Sequence, residues 1–472
     1  MTVGATLALL VPSLVSYLVL RRMAGALLGQ ALSAAMAPGL GVGFASCVYF
    51  ALLHLAANRR IVVGLDGTLW LVAAVCLLID GWRRSQSGGS PVVVTPASAA
   101  EMTTSACPRA EAPDAWTPAI AATAAGLLIL CALALFAFWL RWSLRPEGEW
   151  DAFAIWNLRA RAIARGAPDW AAIFSPALEW SSPHYPLLVP LSIARLWAYT
   201  GRESTAVPAA VALLFFLSSL AVVVTGVARL RGWPAGLLGG MTLLIARTYV
   251  FQSACQCGDV PVGFYILVAI ALVTMSLREA KPGPLLLTAG AAAGLAAWTK
   301  DEGLPIVALV VLVAAFRPSR LRALMRVAIG AAVPAVTLAV FKLHIETSHY
   351  LFSQQGPGVV QKLVDRSRWM SVAEGVANLG AAWGEVPGGA FVCLALAVAL
   401  TARPDRSSAI RASAGLLLVA AMMFAYGLVY VITPLPLQWQ MAVSFGRLVG
   451  QLWPALVWAA FQFSGPLRLR RA

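Results

Sequence analysis

The sequence contains few charged residues. Only 12% of its 472 residues are Asp, Glu, Lys or Arg, whereas 60% are hydrophobic and the mean hydropathy is +0.79. A soluble domain carries about 25% charged residues, so this composition excludes a water-soluble fold. Apolar stretches of about 20 residues recur along the chain, and a helix needs about that length to cross a hydrocarbon core. We therefore expect an all-α polytopic membrane protein.

Acidic residues, histidines and paired cysteines are scarce as well. Against 35 Lys and Arg there are 20 Asp and Glu, and the chain has four histidines. The arginines fall in short clusters between apolar runs and not in one basic patch, so we expect a lipid bilayer as partner and no nucleic acid. The seven cysteines lack the spacing of a zinc site. Cys255 and Cys257 fit either a strained disulfide or plain packing, and we favour packing.

Thirteen apolar segments predict about 11–14 transmembrane helices. Residues 22–37 form an extension, a re-entrant piece or a further helix, and the first segment lacks a basic region before it, so we expect a retained helix and not a removed signal peptide. The segments are 4–20, 38–57, 61–80, 116–140, 204–228, 233–250, 260–277, 283–298, 303–316, 327–345, 388–402, 409–432 and 442–463.

Charges sort by side of the membrane when the N-terminus is placed outside. The turns then assigned to the cytoplasm are basic, as at Arg21 and Arg22, and most acidic residues fall outside, in 141–203, around 259, at 300–302, in 346–387 and in 433–446. The main exceptions are Arg59 and Arg60, in a tight outer turn, and the Arg residues of the long loop 141–203, where the length of the loop weakens the rule.

This assignment divides the chain into four parts. Residues 1–82 are N-terminal transmembrane helices, and 83–115, rich in Ser, Ala, Thr and Pro, is a disordered cytoplasmic connector. Residues 116–465 are the main transmembrane module, whose outer loop is 141–203, and 466–472 is a basic cytoplasmic tail.

The outer loop opens with two carboxylates, Glu149 and Asp151. They precede a stretch with helical apolar spacing and interleaved arginines, which predicts an amphipathic helix in the plane of the interface, with Trp150 and Trp156 at headgroup depth. Asp151 is then either a functional carboxylate at the membrane surface or an ordinary N-cap.

Further candidate residues lie in the other outer segments. Prolines stiffen the turn that holds His184 and Tyr185, although a lone interfacial histidine is usually solvated or bonded to the backbone. Ionisable groups at the membrane edge are expensive, so the turn Lys300-Asp301-Glu302 is either a functional site or a hydrophilic hairpin. The remaining candidates are Asp259, with helix capping as the alternative, and Arg447, with phosphate binding or snorkelling as alternatives.

Five stretches, in order, resemble the GT-C superfamily of polytopic glycosyltransferases. The chain is similar to bacterial family 39 members, relatives of the protein O-mannosyltransferases and aminoarabinose transferases. The stretches are EWDAFAIWNLRARAI, SSPHYPLLVPL, GDVPVGFY, WTKDEGLP and QWQMAVSFGRLVGQLWP, from about residue 147 to 455. The first three helices fall outside the resemblance, and the catalytic loop follows the fourth helix, where the family usually has it after the first.

The resemblance implies inverting transfer of a sugar from a polyprenyl-phosphate donor on the outer face of a bacterial inner membrane. In that reaction Asp151, or Glu149 in its place, is the general base. Lys300 and Arg447 face the donor phosphate, with His184 and Tyr185 beside them. Asp259 orients donor or acceptor, and the Asp301-Glu302 pair either positions Lys300 or holds Mg²⁺ or Mn²⁺. The acceptor is a glycan, a lipid or a protein.

Two other classes of function compete with this interpretation. A transporter or flippase of a lipid-linked or anionic substrate also has many helices and charges at the membrane edge. The sequence lacks the internal repeat that marks many transporters, and its ionisable groups gather at one face instead of the midplane. A catalytically inactive structural partner is the third alternative.

Overall fold

The computed structural model describes residues 2–56, 58–87, 117–166, 170, 175–344, 358–383, 389–401 and 406–464, and every regular element among them is a helix. The all-α class is therefore confirmed for that part of the chain. The α-helices are α1 (Val3–Leu55), α2 (Arg59–Ser87), α3 (Pro118–Leu144), α4 (Asn157–Arg165), α5 (Leu188–Thr200), α6 (Ala206–Arg231), α7 (Trp233–Ile245), α8 (Arg247–Ser253), α9 (Asp259–Ser276), α10 (Gly283–Thr299), α11 (Leu304–Ala315), α12 (Arg320–Leu343), α13 (Val359–Val364), α14 (Arg366–Ala382), α15 (Gly389–Thr401), α16 (Arg406–Ile432) and α17 (Leu437–Phe461).

Each of the thirteen predicted apolar segments contains a helix. Within the described ranges, α1, α2, α3, α6, α9, α12 and α16 are long and apolar enough to cross a membrane, which makes seven, or eight if α7 and α8, bent by 77°, form one broken span. Helices α10 and α15 are apolar but shorter. A multi-pass membrane protein follows, and the figure of about 11–14 crossings stays a prediction.

Helix α1 reverses direction at Gly29. This glycine has φ 73° and ψ 178°, a conformation that only glycine adopts without strain. Gly41 lies against the backbone of Pro12, and a Cβ on Gly41 would be 2.6 Å from the Pro12 carbonyl carbon. Twenty-nine residues of straight helix would instead separate these positions by about 44 Å. Residues 3–28 and 30–55 are thus two antiparallel helices, and the ambiguous segment 22–37 contains the turn between them.

Helix α9 is the central element of the bundle. All of its residues are buried, whereas α2 and α3 expose most of their apolar surface, as membrane lipid requires of outer helices. The N-terminal helices pack into the same core, since Tyr265 Oη on α9 donates to the Gly39 carbonyl at 2.7 Å and Trp298 Nε1 on α10 donates to Ser46 Oγ at 3.0 Å.

The two ends of the bundle carry different groups. At the Ser276 end of α9, Arg317 Nη1 donates to the Ser276 carbonyl at 3.2 Å, and Arg229 at the end of α6 donates to carbonyls freed at the α1 reversal. The acidic motifs meet at the Asp259 end, which we call the site end. Arg229 and Arg317 thus lie at the end opposite the acidic motifs, and the side of the membrane that each end faces stays a prediction. Residues 88–115 and 466–472, which hold most of the predicted connector and the tail, lie outside the described residues. Residues 83–87, which were expected in the disordered connector, instead form the last residues of α2.

Candidate functional site

Four residues that the sequence singled out meet at the site end. Asp151 precedes a π-helical turn (Ala152–Trp156), Asp259 is the first residue of α9, Lys300 directly follows α10, and Arg447 lies in α17. They come from separate segments of the chain, yet their side chains form one continuous network of ion pairs.

Asp259 is the centre of this network. Its Oδ2 accepts from Arg447 Nη2 at 2.8 Å and Nε at 2.9 Å, and its Oδ1 accepts from Lys300 Nζ at 2.9 Å and Gln451 Nε2 at 2.6 Å. The side chain is 1% exposed. A buried carboxylate is tolerated where it is paired and fully hydrogen-bonded, as this one is. Because both oxygens bind side chains, helix capping does not account for Asp259.

Arg447 connects the two aspartates. Its Nη1 lies 2.5 Å from Asp151 Oδ2 while Nη2 and Nε bind Asp259. Gln451 follows Arg447 by one helical turn, so both side chains project from the same face of α17 toward Asp259. The Asp151 side chain makes no capping hydrogen bond, so the N-cap alternative does not describe it. Two carboxylates, and not snorkelling, account for the position of Arg447.

Lys300 is buried, contrary to what a solvated hairpin would require. Besides Asp259, its Nζ contacts Glu302 Oε1 at 2.7 Å and lies 5.4 Å from the centre of the Tyr185 ring. Burial opposes the positive charge, but the carboxylates of Asp259 and Glu302 outweigh it and hold the pKa of Lys300 well above its usual value. Lys300 therefore stays charged while it is excluded from water.

Asp301 pairs with Lys342, which the sequence reasoning missed. Lys342 Nζ contacts Asp301 Oδ1 at 2.9 Å and donates to the His184 carbonyl at 2.7 Å. His184 is buried, and its ring centre lies 4.7 Å from that of Tyr185. The signal that could have identified Lys342 is its position in the last turn of an apolar segment that ends at the same face.

Two residues of the predicted amphipathic segment, Arg159 and Trp156, hold the loop that carries His184 and Tyr185. Arg159 is buried and donates to the carbonyls of Ser181 and Tyr185, at 2.7 and 2.8 Å, and burial lowers the pKa of this guanidinium to about 9. Trp156 stacks on the Tyr185 ring at 5.7 Å and 18°. Trp156 is fully buried among protein side chains and therefore does not face lipid headgroups itself, and its depth in the membrane stays a prediction.

Trp150 and Glu149 face different surroundings. Trp150 is 65% exposed, as a residue at headgroup depth should be. Glu149 pairs with Arg141 and, at 2.5 Å, with Arg145, away from the Asp259 network. Its partners lie at the end of α3, so the structure brings Asp151 into the network and leaves Glu149 outside it.

Other polar groups complete the network. Tyr426 Oη donates to Gln451 Oε1 at 2.8 Å and orients the amide whose nitrogen binds Asp259. Neither Tyr426 nor Gln451 was a sequence candidate, because a lone polar residue in an apolar helix gives no signal of its partner.

Cys255 and Cys257 beside Asp259 are free thiols, so packing, and not a disulfide, is confirmed for them.

The metal expectation has limited support in the geometry. Among the described residues no group of three or more His, Cys, Asp or Glu side chains is placed to hold a metal ion. Asp301 and Glu302 contact different lysines, Lys342 and Lys300. Glu302 Oε2 is buried without a hydrogen-bond partner among the described residues, so it has ligand capacity to spare.

Comparison with known proteins adds no relative. No protein-family model, no curated protein and no solved structure matches the chain.

Proposed function

We propose that this protein is an inverting membrane glycosyltransferase of the GT-C type, which moves a sugar from a polyprenyl-phosphate donor to an acceptor hydroxyl. The observation that carries the proposal is the contact between Asp151 and Arg447 beside the buried pair of Asp259 and Lys300. A carboxylate for proton transfer and cations for a leaving phosphate are the two requirements of this reaction, and here they are adjacent.

Asp151 is the general base of the proposed reaction. It is the more accessible of the two aspartates, with 27% of its side chain exposed against 1% for Asp259. As the acceptor oxygen forms its bond to the anomeric carbon, Asp151 takes the hydroxyl proton, and the bond from that carbon to the phosphate oxygen breaks with its electron pair on the phosphate. The products are the glycosylated acceptor and polyprenyl phosphate.

Arg447 and Lys300 stabilise the leaving phosphate. A guanidinium has five N–H donors and an ammonium has three. Arg447 uses three N–H groups on the two aspartates, and Lys300 uses two on Asp259 and Glu302. The Arg447 side chain is 32% exposed, so in this proposal its two remaining N–H groups bind oxygens of the phosphate without breaking an existing ion pair. The charge of Lys300 beside them stabilises the negative charge that develops on the leaving group.

Asp259 is a positioning residue in this scheme. It holds Arg447 and Lys300 at fixed distances and offers no free acceptor to substrate. The Tyr185 ring lies 5.4 Å from Lys300 Nζ, and the His184 ring packs beside it. Preorganised donors of this kind need no rearrangement as charge builds on the leaving group.

Transfer is tested directly with purified protein, radiolabelled polyprenyl-phosphate sugars and an extract of cell-envelope acceptors. We expect product with the wild type, a loss of about 10²–10⁴-fold in Asp151→Asn, and wild-type rates in Glu374→Gln, an exposed carboxylate on α14. Rates in Asp151→Asn equal to wild type would remove Asp151 as the base. Movement of the polyprenyl-phosphate sugar across the bilayer of vesicles that contain the protein, without any transfer product, would instead support the transporter alternative.

Orientation is tested separately. We propose that the protein lies in a bacterial cytoplasmic membrane with the site end on the extracytoplasmic side. A cysteine introduced for Arg202 at the site end should react with an impermeant maleimide in intact cells, and one introduced for Arg84 in the last turn of α2 should not. The reverse pattern would contradict the orientation and leave the chemistry of the site unaffected.

A further inference from the structure

A second cluster of cations lies at the site end, outside the proposed catalytic network. Arg59, Arg165 and Arg202 line a cavity of about 410 Å³ together with Glu203, Ala164 and Gly201. Asp151 and Arg165 are fourteen residues apart along the helical segment that joins them, which corresponds to about 21 Å. The cavity is therefore distinct from the site around Asp259.

The arginines of this cavity are held in place, but only Arg165 is paired with the carboxylate of the lining. Arg59 donates to the carbonyl oxygens of Ala164 at 3.4 Å and Trp197 at 3.0 Å, at the ends of α4 and α5. Arg165 forms two hydrogen bonds of 2.6 Å with Glu203. The Arg202 guanidinium forms no ion pair or hydrogen bond with any described residue.

The cavity consequently has an excess of positive charge. Three guanidinium groups face one carboxylate, so the lining carries a net charge of +2. Guanidinium groups brought together repel one another unless an anion lies between them. Their planar N–H donors match the oxygens of a phosphate group, and this charge is retained at every physiological pH.

The position of Arg59 relates the cavity to the membrane surface. Arg59 is the first residue of α2, and the next turns of that helix expose Ile61 at 54%, Leu65 at 44% and Leu69 at 52% on one face. Side chains so apolar and so exposed face lipid acyl chains in a membrane-spanning helix. The guanidinium groups of the cavity therefore lie just beyond the acyl region, at the depth of lipid headgroups.

We propose that this cavity binds the phosphate of an anionic phospholipid headgroup. The site recognises a phosphate through Arg59, Arg165 and Arg202. It explains why Arg59, an exception to the predicted distribution of arginines, lies in a turn at the site end.

The test uses native mass spectrometry of the delipidated full-length protein in detergent, titrated with phosphatidylglycerol or with phosphatidylcholine of the same acyl chains. We expect saturable retention of phosphatidylglycerol by the wild type and a weakening of about tenfold in Arg202→Gln, because one charge-assisted contact is lost. Arg366→Gln, which removes an exposed arginine at the start of α14, should bind like the wild type. Arg202 lies in an exposed turn, and an unchanged unfolding curve would verify that its variant is folded.

Three results would overturn the proposal. Equal retention of phosphatidylglycerol by wild type and Arg202→Gln would remove the cavity as the site, and equal retention of phosphatidylcholine would remove the anionic headgroup as the ligand. Inorganic phosphate forms the third arm: if it occupies the cavity as tightly as phosphatidylglycerol, the ligand is a free phosphate and not a lipid. None of these outcomes depends on sugar transfer, so failure here leaves the proposed enzyme activity standing.

Discussion

Replacing Asp259 by asparagine should destabilise the protein strongly, because it removes the charge at the centre of the ion-pair network of the site end. The asparagine keeps the shape of the side chain but replaces one acceptor oxygen by an amide that donates. Arg447, Lys300 and Gln451 all donate to this carboxylate, so donors would then face donors in a buried place. Breaking a buried ion pair in this way costs about 3–5 kcal/mol of unfolding free energy. We expect the lower end, because Lys300 keeps Glu302.

A double-mutant cycle gives the sharper form of this prediction. Lys300→Met should cost about 3 kcal/mol, because it leaves Asp259 with one charged partner fewer and Glu302 without its lysine. The double variant Asp259→Asn with Lys300→Met should cost about 4 kcal/mol and not about 6, which is a coupling of about 2 kcal/mol. The difference arises because each single substitution breaks the ion pair between Asp259 and Lys300, and the double variant loses that pair only once.

The unfolding free energies are measured in detergent by SDS titration, with the fluorescence of the 17 tryptophans as the signal. Asp80→Asn is the matched control. Asp80 pairs with Arg22 at 2.6 Å, but both side chains are about 40% exposed, and such pairs contribute about 0–1 kcal/mol. Additive costs of the two site substitutions, within about 0.5 kcal/mol, would refute the coupled network. A cost for Asp80→Asn as large as for Asp259→Asn would refute the role of burial.

Three further predictions concern the backbone, the pH dependence and the proposed base. Gly29→Ala should lower the unfolding free energy by about 1–3 kcal/mol, because alanine is strained at its backbone angles, whereas Gly64→Ala, a helical position with open space, should be neutral or stabilising. The hydrogen bond from Arg165 lowers the pKa of Glu203. The stabilisation that this ion pair gives the folded protein is therefore complete above the pKa of an unfolded glutamate, about 4.3. It is lost as the pH falls through the lower pKa of Glu203 in the folded protein. The difference in stability between wild type and Glu203→Gln should shrink accordingly below about pH 4, and a constant difference would contradict the pairing. Asp151→Asn should cost no more than about 1 kcal/mol, because its ion pair is partly exposed; a larger loss in the same titration would mean that missing transfer reflects misfolding.

Composition and periodicity were sufficient for the class of the fold. A chain this apolar has to place its side chains in lipid, and each apolar segment satisfies its backbone only as a helix. The grouping of acidic and basic turns also followed from the order of charges along the chain. Asp259, Lys300 and Arg447 could be proposed for one end of the bundle because each stands at the edge of an apolar segment, where a charge is costly.

Side-chain partners were decided by the tertiary structure alone. Arg447 and Asp259 are 188 residues apart, and no local rule relates the rotation of α17 to the first turn of α9. Asp151 was preferred over Glu149 as the base, but the sequence could not give the partner of either side chain. In the fold Glu149 contacts Arg145 and Asp151 contacts Arg447.

The same holds for the reversal at Gly29 and for the arginine cavity. A glycine within an apolar run is compatible with a continuous helix, and only the contact of Gly41 with Pro12 shows that the chain folds back. Arg59, Arg165 and Arg202 come from three connections whose ends are brought together by the packing of α4 and α5. The sequence determined which residues are too costly to place in lipid, because that cost belongs to each residue. The fold decided which of them share a site, because that depends on how whole helices pack.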